Sequence, residues 1–308
     1  MRFTGIVPHE LTGPLDRVVR ALYGASWGRA RALIGTGKVR VDGAVTLEAT
    51  TRVATGAEIA IDLQAARTRA PELADRQVVH CDAQVVVVAK PAGVSTIPFD
   101  DNETDTLDAR VRAWLERRRL VAPGRRPTLG IVHRLDKETT GLVVFTRTWL
   151  AKKALAAQFR RHTVHRRYLA IVAGNVKAAC TLRSWFVDDR GDGLRGSTRG
   201  GKGAKQGQEA VTHVEPLEAL AGATLIACRL ETGRTHQIRI HLSEAGHPLV
   251  GERVYVRHFR GERLPAPRLM LHAAELGFVH PATEREVSWQ QAVPDDMSEV
   301  LERLRRAR

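Results

Sequence analysis

Cysteine is scarce in this 308-residue chain. Cys81, Cys180 and Cys228 are odd in number and far apart, which excludes a disulfide framework or a CxxC-type zinc site and suits a reducing cytosol. Aromatic residues make up only 5% of the sequence, too few for a sheet that reads nucleic acid by stacking bases across its face. No apolar run approaches the ~18 residues of a membrane-spanning helix; the longest β-branched stretch, Val85–Val88, is strand-sized, so no membrane association is expected. The opening MRFTGIVPHE has no apolar h-region, which predicts no secretory leader and a cytoplasmic protein. No H-E-x-x-H or Cys/His cluster occurs, and His236 and His241, five apart, fall on different faces of a helix, so no metal site is expected.

Positive charge is what the chain has in excess. Lys plus Arg number 48 against 34 Asp plus Glu, a formal charge of +14. Hydrophobics at 43% and charged residues at 27% are ordinary for a globular protein and exclude wholesale disorder. At about 150 residues per domain the length predicts two domains. The charge points toward a polyanion, because neutralised phosphates release counterions; its bland alternative is arginine spread over solvated faces.

Residues 1–62 read as a small α/β domain. Pro14 to Leu22 forms an amphipathic helix with Leu15, Val18, Val19 and Leu22 on one face. Ser26 caps a second helix running to Ile34, stopped by Gly35 and Gly37. Residues 38–43 alternate like a strand and turn at Asp42-Gly43, a hairpin signal. Arg29, Arg31 and Lys38, with Arg40, make one side basic: an RNA-facing surface or simply a solvated one. Residues 63–76 lose periodicity and carry Pro71, as a linker does. The remainder, 77–308, has strand-like runs at 84–89, 141–146, 167–173, 209–214 and 223–231, with helices over 110–119 and 148–161. This is an α+β pattern without regular βαβ repetition.

Residues 190–207 hold seven glycines and five basic residues, and two nucleotide-binding motifs fail there. Gly191-Asp-Gly193-Leu-Arg-Gly196 spells GxGxxG, but no apolar helix follows to meet a pyrophosphate. Gly196-x4-Gly201-Lys202 resembles a P-loop, yet Gly203 stands where a Mg²⁺-binding hydroxyl belongs. A mobile basic loop is the better reading.

Two segments concentrate chemistry. In Gly130-Ile-Val-His133-Arg134-Leu135-Asp136-Lys137-Glu138-Thr139-Thr140-Gly141 the charged portion is too polar for a buried strand. It reads as a loop presenting Asp136 between Arg134 and Lys137, cations that favour a bare carboxylate; a turn in which Asp136 merely pairs with its neighbours is the alternative. In Glu231-Thr-Gly233-Arg234-Thr235-His236-Gln237-Ile238-Arg239-Ile-His241-Leu242, Thr235 reads as the cap of a helix with Ile238, Leu242 and Ala245 on one face, ended by Gly246. A strand delivers the chain to Arg234, so cations cluster at a strand-to-helix junction that attracts anions.

His133-Arg-Leu-Asp136 with Thr139-Thr-Gly-Leu142 resembles the HRLDxxTSG signature of RluA-type RNA pseudouridine synthases. Further blocks of that family follow in order: Lys90-Pro-Ala-Gly93, Arg166-Arg-Tyr168 through Gly174, Glu231 to Arg239 with Pro248 to Gly251, and Leu271-His-Ala273 with His280-Pro281. The resemblance covers about residues 78–296, and residues 12–62 resemble an S4-type RNA-binding domain. The sequence departs from the family in Thr140 for serine, in Ser95-Thr96-Ile97-Pro98 after the first block, a change read as altering substrate contacts, and in the glycine-rich 190–207 stretch.

The resemblance implies a mixed or antiparallel sheet and an isomerase that breaks the C1′–N1 bond of uridine and joins C1′ to C5, with no cofactor required. It implies Asp136 as the catalytic carboxylate, Arg239 as its partner (Arg234 in reserve), and Tyr168 to stack on the base or relay a proton. Leu271 becomes a pocket wall. Arg134, Arg234 and His236, with Arg29, Arg31 and Lys38 of the N-terminal domain, become substrate contacts. Structured RNA is the implied partner, ribosomal RNA before tRNA, and a monomer is expected. A non-catalytic ribosome-assembly factor on the same fold is the alternative.

Overall fold

The structure, a computed structural model, describes every residue except 1, 48, 66–71, 100–102, 123–124, 199–206, 258 and 308. The centre of the predicted linker and most of the glycine-rich stretch, including the P-loop-like Gly201-Lys202, therefore lie outside the described residues. The chain divides into two compact units, Met1–Leu73 with Ile97–Ala122, and Ala74–Thr96 with Pro123–Arg308.

The first unit folds two helices against a four-stranded antiparallel sheet. Its strands are β1 (Arg2–Ile6), β2 (Val39–Val41), β3 (Ala44–Val45) and β4 (Glu58–Asp62), in the order β1-β4-β2-β3. Helix α1 (Leu15–Tyr23) buries Leu15, Val18 and Val19 and ends at Gly24, whose φ of 67° serves as a left-handed cap. Helix α2 (Trp27–Gly35) starts at Ser26, whose Oγ accepts from Arg29 N at 3.2 Å. Asp42 and Gly43 both take positive φ, 49° and 79°, as the tight turn between β2 and β3 demands. Leu15, Val18, Val19, Leu33, Ile34, Ile59 and Ile61 meet in one core. Helix α3 (Leu107–Arg117) begins three residues before the predicted start. The apolar stripe that holds it, Leu107, Val111, Trp114 and Leu115, already opens at Leu107.

The second unit is built on an eleven-stranded sheet. In chain order its main elements are β5 (Val78–Cys81), β6 (Val85–Lys90), β7 (Thr140–Thr146), α4 (Trp149–Arg160), β8 (His165–Ala173), β9 (Cys180–Val187), β10 (Gln208–Leu220), β11 (Ala223–Leu230), α5 (Gln237–Glu244), β12 (Leu271–Val279), β13 (Glu286–Gln290) and α6 (Asp295–Arg306). The spatial order is β9-β10-β11-β8-β12-β7-β6-β5, with β13 beside β12. The late strand β12 is wedged between β8 and β7 and runs parallel to β7, whereas the other named strand pairs are antiparallel. Gly141 permits this close approach. A Cβ there would stand 2.2 Å from the Ala273 carbonyl oxygen, and its φ is 114°. Strand β10 continues past the predicted end at 214 because a bulge between Pro216 and Glu218 absorbs the proline.

Two packed layers flank the sheet. Val85, Val87, Leu142, Val144, Leu155 and Leu276 form one, under α4, which Thr148 caps by accepting from Ala151 N at 3.1 Å. Ile171, Val250, Met270, Met297, Val300 and Leu304 form the other, under α6. The mixed α+β fold read from the sequence is the fold found. No helix among the described residues is long and apolar enough to cross a membrane.

Candidate active site

Asp136 lies on the loop that enters β7, and the loop is clamped on both sides of it. Before it, both the N–H and the carbonyl of Leu135 hydrogen-bond Thr96 Oγ1, at 3.1 and 2.9 Å. After it, the Lys137 carbonyl accepts from Lys90 Nζ at 2.8 Å and from Gly93 N at 3.0 Å. Lys90 is only 2% exposed and also donates to the Pro91 carbonyl. Burial pulls its ammonium down to about 7, against the opposing charges of Glu138 and Asp136. His133 anchors the start of the loop: its Nε2 accepts from Val144 N at 3.0 Å and its ring stacks on Phe159, centroids 4.8 Å apart. Accepting through Nε2 requires a neutral ring, and burial, with help from the Arg166 charge, lowers His133 to about 3.

Arg239 reaches the loop from α5. Its Nη1 lies 3.6 Å from Asp136 Oδ2, but its main partner is Glu252, held bidentate through Nε and Nη2 at 2.8 Å each. The Glu252 side chain is fully buried, and its Oε1 also accepts from Arg253 N and Val254 N at 3.0 and 2.9 Å. Burial works to raise the Glu252 carboxyl, yet the hydrogen bonds and charge of Arg239 outweigh it and hold the group below the usual range. Burial likewise opposes the Arg239 charge, and Glu252, then Asp136, more than offset it. Arg239 also lies over the Tyr255 ring at 5.2 Å. Glu252 thus fixes the guanidinium, leaving one nitrogen for Asp136.

Thr235 does not cap α5. His236 occupies the cap position in a left-handed conformation, φ 58°, with no capping side-chain bond, and its Nδ1 meets Tyr255 Oη at 2.7 Å. The turn is braced instead by Gln237, whose Oε1 accepts from Thr232 Oγ1 and Arg234 N at 2.7 and 2.9 Å. The His236 ring is half-buried, which lowers its pKa while the nearby Asp136 charge opposes that shift.

The other residues singled out in the sequence fall into two groups. Tyr168 is buried on β8; burial raises its hydroxyl, and the charges of Arg166 and Asp136 act on it in opposite senses. Leu271 opens β12, opposite Ala170 of β8. Arg134 is exposed on the Asp136 loop. Arg234 is not beside Asp136 in any ion pair; its Nε donates to the Glu209 carbonyl at 2.9 Å. In the first unit Arg29 is exposed, Arg31 pairs with the buried carboxylate of Asp16 at 2.9 Å, and Lys38 donates to the Leu63 carbonyl. Thr96, in the stretch read as altering substrate contacts, is buried and turned to the loop backbone. Glu252 and Tyr255 were not singled out, although Glu252 is the first acid after the Pro248–Gly251 block and a buried arginine needs one.

The arrangement presents one carboxylate, about a quarter exposed, beside a guanidinium locked from behind and near a buried tyrosine. Such a group suits attack on, or proton removal from, a neutral substrate held against the loop. A cavity of about 210 Å³ is lined by Pro248–Arg253, Phe259 and Arg263 among others, and its lining does not include Asp136.

Residues 84–244, which contain Asp136, Tyr168 and Arg239, match the RNA pseudouridylate synthase family. A protein of Pseudomonas aeruginosa named ribosomal large subunit pseudouridine synthase D is 35% identical over 98% of this chain and 95% of its own length. The chain belongs to the RluA-type RNA pseudouridine synthases. A Zymomonas mobilis protein of the same name is 36% identical over 74% of this chain and 72% of its own. An RNA pseudouridine synthase is an isomerase that converts uridine in RNA to pseudouridine. The fold agrees with that membership: human RNA pseudouridylate synthase domain containing 4 superposes with a TM-score of 0.61 at 24% identity, covering 75% of this chain and 93% of that one.

Proposed function

We propose that this pseudouridine synthase acts on ribosomal RNA, with Asp136 as its catalytic carboxylate. The observation that carries the assignment is the pairing of Asp136 with Arg239 at 3.6 Å on a loop held by buried groups. Asp136 attacks the substrate nucleotide or takes its C2′ proton while C1′–N1 breaks. Arg239 orients it, and Tyr168 contacts the base or relays the proton that leaves C5 when C1′–C5 forms. Leu271 lines the apolar side of the pocket, and Arg134, Arg234 and His236 contact the surrounding RNA. A target within a stem is unstacked before it can reach Asp136.

Ribosomal RNA is the substrate favoured by the names of these relatives. Residues 1–62 act as an S4-type RNA-binding domain, joined through 63–76 to a catalytic domain over 77–308. Arg29, Arg31 and Lys38 contribute phosphate contacts that position RNA without reading sequence. The protein works as a cytoplasmic monomer without a cofactor. Tritium release from [5-³H]uridine-labelled ribosomal RNA tests the reading, because forming C1′–C5 displaces that hydrogen. Release from ribosomal RNA, and pseudouridines missing from that RNA in cells lacking the gene, are expected; release from tRNA alone overturns the substrate. Light scattering showing a dimer overturns the monomer.

A further inference from the structure

Arg166, two residues before Tyr168 on β8, is a buried cation without a counter-charge. It is 7% exposed, and among the described residues no carboxylate pairs with it. Its Nη2 faces the carbonyls of Leu230, Glu231 and Thr232 at 3.4, 3.3 and 3.5 Å, all long for a hydrogen bond. Its Nε is buried with no partner at all, and the guanidinium rests over the Phe159 ring at 5.5 Å. Buried charges are ordinarily paired, because an unpaired one loses its hydration without compensation. Arg239 shows the ordinary arrangement with its bidentate glutamate.

The covering loop leaves this cation reachable. Gly233 is exposed, and a Cβ added there would stand 3.1 Å from Arg166 Nη1. Its φ lies outside the left-handed region, so the backbone does not require glycine at this position. What the missing side chain provides is an opening onto Nη1, which makes no hydrogen bond among the described residues. The next residue, Arg234, is tied through Nε alone to the Glu209 carbonyl. The opening at Gly233 therefore leads to an uncompensated guanidinium on the strand of the site's tyrosine, and the next residue along the loop carries a second cation.

We propose that Arg166, reached past Gly233, forms a seat for a backbone phosphate of the RNA substrate next to the target nucleotide. The missing counter-charge of Arg166 is the phosphodiester itself, which arrives with the substrate. This rests on the reading that RNA is bound at Asp136, and it assigns to Arg166 a binding role rather than a part in the bond rearrangement. A planar guanidinium suits a tetrahedral phosphate edge in a way that a neutral amide does not.

The test uses the full-length protein with a ribosomal RNA transcript, measuring affinity as a function of salt alongside tritium release. Arg166→Gln keeps a polar side chain but removes the charge; Gly233→Val keeps the charge and closes the opening. Each is expected to weaken binding five- to tenfold and to raise KM. Each should also lower the slope of log affinity against log salt by about 0.7–0.9, the contribution of one phosphate contact. The double variant should lose no more than the worse single one, since both remove the same contact. Wild-type salt slopes in both folded variants overturn the seat, as does an Arg166→Gln effect confined to thermal stability. Should Arg166→Gln not fold, Gly233→Val alone decides. Wild-type protein that binds the transcript but releases no tritium counts against the Asp136 reading, while the salt slopes still judge the seat.

Discussion

The two halves of the Asp136–Arg239 pair are held in opposite ways. Asp136 is positioned through its backbone: Thr96 and Lys90 grip the peptide groups on either side, and the carboxylate itself remains about a quarter exposed. Arg239 is positioned through its side chain, by a glutamate with no exposure at all. The comparison teaches that the acid is free to meet a substrate while its base plate is rigid, and that the arginine's orientation depends on one buried ion pair. The two arms should therefore fail differently.

Removing the carboxylate charge has the largest effect on turnover. Asp136→Asn is expected to lower tritium release by about 10³-fold or more while leaving thermal unfolding and RNA affinity nearly unchanged; retained turnover would falsify the site assignment. Glu252→Gln breaks the other arm. Leaving the Arg239 charge buried and half-paired should cost about 3–5 kcal/mol, a fall in Tm of roughly 6–20 °C, with turnover falling alongside. A Glu252→Gln protein as stable as wild type would show that Arg239 does not depend on it.

Lys90→Met loosens the backbone arm. The Lys137 and Pro91 carbonyls lose a donor, so about 1–3 kcal/mol of stability and a tenfold or greater part of the turnover should go. The pH dependence has a definite sign. Folding lowers Lys90 from 10.5 to about 7, so in that window the unfolded chain carries more protons. Wild-type stability from this group rises with pH between those values, and denaturant titrations of Lys90→Met should lack that rise. The smallest effect is expected from His133→Gln. His133 is lowered from 6.5 to about 3, so its contribution is complete above pH 6.5 and is lost as pH falls toward 3. The variant should unfold in acid with a slope smaller by about one proton, and an unchanged slope would remove His133 from the account.

Much of this was legible in the chain. The α1 and α2 helices, the Asp42-Gly43 turn, the Thr148 cap and the chief strands follow from local periodicity and turn chemistry, which act within a few residues. The Asp136 loop was legible because its charges are incompatible with a buried strand. What escaped is long-range. Glu252 lies thirteen residues past Arg239, and Thr96 lies 39 residues before Leu135; no local pattern joins them. Thr235 looked like a cap because its hydroxyl precedes an apolar stripe, but the Gln237 side chain took over the turn and pushed His236 into a left-handed conformation. The end of β10 is not legible locally because a proline normally stops a strand, and the bulge that accommodates Pro216 depends on the partner strand.

The place of β12 has a consequence for synthesis. Strands β7 and β8 are joined by one helix, yet they do not pair with each other; residues 271–279 fill the gap between them. Domains assemble as the chain leaves the ribosome, beginning with the amino-terminal end. The sheet that carries the Asp136 loop and Tyr168 therefore stays split until residues 271–279 have emerged. A nascent or prematurely terminated chain holds an unzipped sheet, and the catalyst comes into being only when its last long strand slides into the slot.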